Sequence, residues 1–290
     1  MKIGEAYGPG KFGLSFEIFP PKTEAGEAQL FTALEELMAF KPSLVTCTYG
    51  AGGSTRDKTL ELTAKIRDTF AVPTAAHLTC VGSTVEEIRK WLKRATEMGV
   101  QNIIALRGDP PQGETAFTPV DGGLSHANEL VALIRREFPH FGVAVAGYPE
   151  PHQEAPSPEA DLANLKRKVA AGADVVITQL FYDNRDFFGF RERYVRAHIR
   201  LPLVPGILPV VSFAQIQRIT ALCGATLPAA LTADLEKHRD DPAGQVDAGV
   251  EHAIRQCREL IHAGIPGIHF YVLNKAEATR RILEALNLQR

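Results

Sequence analysis

The chain has 290 residues, of which 45% are hydrophobic and 23% charged, with a formal net charge of −2. These values suit a globular α/β protein and provide no bulk attraction to nucleic acid or an anionic membrane. The longest basic cluster, Lys166-Arg167-Lys168, is too short for a polyanion surface, and no apolar run nears the ~20 residues of a membrane helix.

The opening residues, MKIGEAYGPGKFG, lack the apolar core of a signal peptide. Short β-branched runs then recur, each followed by a helical pattern. Strands are expected at Leu14–Phe19, Leu44–Thr48, Thr74–Leu78 and Ile103–Arg107. Four more are expected at Val143–Tyr148, Val175–Gln179, Leu203–Ile207 and Ile268–Val272. The first four begin about every 30 residues, the length of one strand, one helix and two loops. Between them, EAQLFTALEELMAF, TRDKTLELTAKIRDTF and VEEIRKWLKRATEMG carry apolar residues at i, i+3, i+4 and i+7. The longer interval before the last strand predicts an extra helix around Ala229–His238. Eight such units favour one (β/α)₈ barrel over residues 1–290. An open doubly wound sheet would need a GxGxxG turn after its first strand. Here that strand runs into Phe19-Pro20-Pro21-Lys22, which cannot form one.

Barrels of this kind carry their chemistry at the C-terminal strand ends. Seven of the eight tips hold polar groups: Glu17, Thr48 with Tyr49, His77, Arg107 with Asp109, Tyr148 with Glu150 and His152, Gln179, and Asn274. That clustering is hard to explain by packing. Side-chain alternation puts Ser15 and Glu17 on one face of their strand and Phe16 and Ile18 on the other. The bulky pair should face the helices, leaving Glu17 toward the barrel mouth, where desolvation would raise its pKa as a general acid requires. A structural carboxylate paired with a basic residue fits the same pattern equally well.

Other signals are individually weaker. Arg107-Gly108-Asp109-Pro110-Pro111 suits a charged pair at the mouth, with Gly108 admitting close backbone approach, but also suits an ordinary turn. His77 alone reads as a hydrogen-bonded core histidine. From Ser157 onward the sequence begins like a capped helix, with Pro158 in its first turn and acids beside the dipole's positive end. Asp161, Asn164 and Lys168 form a stripe on it that suits either solvent or a phosphate-bearing cofactor. Cys47, Cys80, Cys223 and Cys257 show neither CxxC pairing nor zinc spacing and read as reduced thiols of a cytoplasmic protein. No His or carboxylate spacing resembles a metal site.

Taken in order, SFEIFPPKT, TCTYGAGGSTRD, AAHLTC, ALRGDPP, GYPEPHQEA, ADLANLKRKVAAGAD, ITQLFYD, PGILPV and HFYVLNKAE resemble the catalytic domain of the methylenetetrahydrofolate reductase family across nearly the whole chain. The resemblance implies an FAD-bearing (β/α)₈ barrel in the short form, without the S-adenosylmethionine-sensing domain of longer members. It implies that NADH or NADPH reduces FAD and leaves. The flavin then reduces 5,10-methylenetetrahydrofolate to 5-methyltetrahydrofolate, for methionine synthesis, after the folate ring opens to an iminium. Glu17 matches the family's proton donor, and Asp109 the carboxylate that contacts the pterin and tunes the flavin. Gln179, Gln215 and Lys275 match substrate-binding positions. Around FAD the matching positions are Thr48, Tyr49, Ala51, His77, Arg107 and Gly108, then Tyr148, His152 and Ala155. Along the capped helix they are Asp161, Asn164, Arg167 and Lys168. Ile219 stands where some members have a phenylalanine near the nicotinamide, and Lys275 replaces an arginine near the folate. A homo-oligomer is expected, with no nucleic-acid or membrane partner. Two rival readings remain at this stage: a folate-dependent methyltransferase barrel without flavin, and a non-catalytic folate or flavin carrier.

Overall fold

The computed structural model describes residues 1–48, 56–110, 113 and 117–288. The chain opens with a short helix, α1 (Ile3–Ala6), and then alternates strand and helix. In order these are β1 (Gly13–Ile18), α2 (Glu24–Met38), β2 (Leu44–Cys47), α3 (Arg56–Phe70), β3 (Thr74–Thr79), α4 (Val85–Glu97) and β4 (Asn102–Leu106). The second half runs α5 (Ala127–Glu137), β5 (Gly142–Gly147), α6 (Pro158–Ala170), β6 (Val175–Leu180), α7 (Asn184–Arg196) and β7 (Leu203–Ile207). Three helices then precede the last strand: α8 (Phe213–Cys223), α9 (Ala229–Lys237) and α10 (Pro242–His262). The chain continues with β8 (Gly267–Tyr271) and α11 (Glu277–Ala285).

All eight strands are parallel and close into a barrel in sequence order, with β8 returning to pair with β1. The expected strands are each present, shifted by a residue or so at their ends. The helix expected near Ala229–His238 is α9, flanked by α8 and α10. Local sequence accounts for several of the helix starts. Thr84 and Glu87 form a reciprocal capping box on α4, and Ser157, Asp183 and Ser212 each accept a bond from the first turn of α6, α7 and α8. Each cap satisfies an otherwise orphaned N–H and contributes roughly 1 kcal/mol.

Alternation along each strand sorts the side chains into two layers. Phe16, Val45, Leu78, Ile103, Val143 and Phe270 point outward into the main core against the helices. Leu44, Ala75, Ile104, Ala144, Val175 and Val204 fill the lower barrel interior. Ile3, Ala6 and Tyr7 of the α1 region pack beneath them and plug the barrel's base. That plug is pinned where the Ile3 N–H donates to Asn102 Oδ1 at 2.7 Å. The base is therefore packed shut, and the open end is the one where the strand tips converge.

Candidate active site

A cleft of about 520 Å³ occupies the C-terminal end of the barrel. Its walls include Glu17, Thr48, His77, Arg107, Gly108, Asp109, Tyr148, His152 and Gln179. Nine residues singled out from sequence thus converge on one cavity, contributed by six different strands and their following loops. Ile219 also lines it. Gln215 and Lys275 line a neighbouring cavity of about 740 Å³, which shares Leu208, Tyr271 and Leu273 with the first. Tyr49 and Ala51 lie outside the described residues.

Glu17 is inward-facing, as alternation requires, and its side chain is 17% exposed. Its Oε2 lies 3.2 Å from Nε2 of His269 and 3.2 Å from Nε2 of His77. The first contact is a well-formed hydrogen bond, whereas the alignment at His77 Nε2 is too poor for one. This environment reverses the expected shift. Burial alone raises the Glu17 pKa and is the largest single influence, but the two imidazoles together outweigh it and bring the carboxyl down to about 2. These neighbours therefore hold Glu17 as a carboxylate. His269 is fully buried on β8 and was not singled out from sequence. The signal was available: Gly267, His269 and Tyr271 alternate along the strand, and the β8–β1 register sets Ser15 opposite His269 and Glu17 opposite Tyr271.

Arg107 does not pair with Asp109 as the turn sequence suggested. Its guanidinium makes a bidentate ion pair with Glu154, at 2.5 and 2.8 Å, and lies over the Phe117 ring. A fork of donors matched to a carboxylate is the preferred geometry for such a pair, and Glu154, on the loop after β5, reaches it while Asp109 stays exposed. Gly108 adopts φ +88°, and a Cβ there would stand 2.6 Å from Val81 Cγ1. Its freedom therefore serves a left-handed turn packed on Val81 as much as any ligand.

The stripe on α6 divides. Asp161 is 7% exposed, and burial raises its pKa. The Lys168 amine donates to the Ala146 carbonyl at 2.6 Å and lies over the Tyr148 ring, where burial brings its pKa down to about 8. Asn164 and Arg167 bond to each other on the exposed side, and Ala155 is half-buried in the loop before α6. None of these five residues lines the cleft, but Lys168 and Asp161 stand beside its wall at Ala146 and Tyr148.

The family model for methylenetetrahydrofolate reductase matches residues 2–287. A maize relative, methylenetetrahydrofolate reductase (NADH) 1, is 40% identical over 99% of this chain, which spans half of that protein's length. The 5,10-methylenetetrahydrofolate reductase of Escherichia coli is 37% identical over 97% of this chain and 92% of its own. Among solved structures, an uncharacterised Clostridium thermocellum protein that binds two copies of 5-methyl-5,6,7,8-tetrahydrofolic acid superposes with a TM-score of 0.60. That alignment covers 96% of this chain and 95% of the other at 16% identity, a likeness of fold. With the barrel and its cleft on one side and this match across nearly every residue on the other, the chain belongs to the methylenetetrahydrofolate reductase family.

Proposed function

We propose that this protein reduces 5,10-methylenetetrahydrofolate to 5-methyltetrahydrofolate, taking hydride from NADH or NADPH by way of bound FAD. The observation that carries the reading is Glu17, held between two imidazoles in the barrel mouth. FAD, when bound, would carry hydride from the nicotinamide to the folate in two separate half-reactions. The chain's residues suit such a cofactor. Asp161 and Lys168 are charged groups drawn against the barrel with no ion pair within 4 Å among the described residues, an arrangement that favours an outside partner. Lys168 and Arg107 supply positive charge for a diphosphate, and Asp161 supplies an acceptor for ribose hydroxyls.

Reduction of the folate requires a proton on the nitrogen that leaves when its five-membered ring opens. Glu17 faces the cleft and can deliver it, and His77 and His269 can each pass a proton to its carboxylate. The proton source is thus the three-residue cluster rather than an isolated carboxylic acid. Gln179 and Asp109 stand on the cleft wall where donors and acceptors of a pterin ring could be read. The adjoining cavity, with Gln215 and Lys275, suits the anionic tail of a folate.

A visible spectrum and an anaerobic titration test this reading. Purified protein reconstituted with FAD should show flavin bands, lose them on addition of NADH or NADPH, and regain them with 5,10-methylenetetrahydrofolate. Bleaching without recovery would make it a flavin reductase for another acceptor. No flavin binding would favour the methyltransferase reading.

A further inference from the structure

Arg107 faces the cleft with its paired donors already engaged. Nη1 and Nη2 each donate to one oxygen of Glu154, at 2.5 and 2.8 Å, and Nε donates to the Gly108 carbonyl at 3.2 Å. A guanidinium has five N–H groups, and the two left over sit on different nitrogens and point apart. A phosphate is best read by two parallel donors, and neither such pair is free here. The end-on pair is filled by Glu154, and the side-on pair shares its Nε–H with Gly108.

The two partners of this ion pair are not held equally. The Arg107 side chain is 23% exposed, rests on the Phe117 ring, and has its bond to Gly108 independently of Glu154. The Glu154 side chain is 48% exposed on the loop between β5 and α6. Among the described residues, Arg107 is the one hydrogen-bond donor to its carboxylate. The cation is thus fixed in place, and the anion is the exchangeable member.

We propose that Glu154 is an internal stand-in for a diphosphate: it fills the paired donors of Arg107, and a dinucleotide binds there by displacing it. The inference rests on the reading of Arg107 as a diphosphate contact. Two effects act in one direction. Glu154 must give up its ion pair before the donors open, and its charge repels an approaching phosphate while it remains nearby. The exchange strands no charge, because Glu154 turns into solvent as the phosphate takes its place. Glu154 therefore weakens cofactor binding and speeds release, although it stands beside the residues that favour binding.

The test uses the full-length protein, with FAD and riboflavin titrated by flavin fluorescence and inorganic pyrophosphate by calorimetry. Glu154→Gln keeps the side chain's size and removes its charge, and circular dichroism checks that the fold is retained. It should bind FAD about three- to tenfold more tightly than wild type, and bound FAD should leave more slowly on dilution. Glu154→Ala should do the same. Riboflavin, which has no phosphate, should bind all three proteins equally, whereas pyrophosphate should bind both variants more tightly. On an Arg107→Gln background, adding Glu154→Gln should change FAD affinity by less than about twofold. Unchanged or weaker FAD binding by the folded variants would overturn the proposal, since Glu154 would then orient Arg107 rather than compete for it. An equal gain for riboflavin would also overturn it. Failure of FAD to bind any of the proteins would overturn the flavin reading instead, and the pyrophosphate comparison would then decide the exchange at Arg107.

Discussion

The inside of this barrel has two unlike sides. On β8, β1, β2 and β3 the inward positions include Leu44 and Ala75 but are mostly polar: Ser15, Thr46, His77 and His269 are buried, and Glu17 and Tyr271 half-buried. On β4 to β7 the inward layer is mostly apolar, with Ile104, Ala144, Val175, Ile177 and Val204 beside Asn102 at the base and Gln179 at the cleft. Both sides share the same parallel hydrogen-bond pattern, so backbone geometry does not distinguish them. Burying a polar group without full compensation costs stability, and the polar side carries two such atoms, Thr46 Oγ1 and His77 Nε2. The apolar side carries the transfer energy that holds the interior together. The division shows where this chain gives up stability for chemistry and where it does not.

The largest expected effect on stability lies on the apolar side. Val204→Ala removes two buried methyl groups at a fully buried position away from the cleft lining. It should cost about 2–3 kcal/mol of unfolding free energy, measured by urea denaturation, with the ratio of the two half-reaction rates unchanged. A changed ratio would mean that the apolar wall also shapes the chemistry.

Lys168→Ala probes the rim between the two sides. Among the described residues its amine makes one hydrogen bond, to Ala146, so the fold should survive while FAD binding weakens by about ten- to a hundredfold. Flavin fluorescence titration beside circular dichroism reads both. Full flavin affinity would return the whole α6 stripe to solvent.

A pH series sharpens the polar side. Glu17 has its pKa lowered from 4.5 to about 2 by the imidazoles. A carboxyl with a depressed folded-state pKa adds stability that is complete above its unfolded value and fades as pH falls through the folded one. The stability advantage of wild type over Glu17→Gln should therefore be full above pH 4.5 and shrink toward pH 2. An advantage that grew on acidification would contradict the assigned direction.

The smallest effect should come from Thr46→Val. Replacing a buried, unpartnered hydroxyl by a methyl of the same shape is close to neutral or slightly stabilising, within about 1 kcal/mol. A loss above about 2 kcal/mol would show that the hydroxyl is well satisfied.

Much of this was legible beforehand. Strand-plus-helix spacing sufficed for the barrel, because each unit is a local pattern repeated eight times. Glu17's direction followed from alternation against Phe16 and Ile18, a rule that acts within six residues. Its charge state did not follow, since it depends on His77 and on His269, which lies 252 residues away across the β8–β1 seam. Arg107 was read against the nearest acid in sequence, whereas Glu154, 47 residues on, is the nearest in space. Gln215 and Lys275 line the adjoining cavity rather than the cleft itself, Gln215 from the first turn of α8 and Lys275 from the segment after β8.

The central claim is that the polar side serves the folate half-reaction and is not needed for flavin reduction. Stopped-flow measurement of both halves in Glu17→Gln tests it most directly. General acid catalysis is typically worth about 10²–10⁴-fold. The account predicts a loss of that size when reduced enzyme meets 5,10-methylenetetrahydrofolate, with flavin reduction by NADH within about twofold of wild type. Equal losses in the two halves would contradict it.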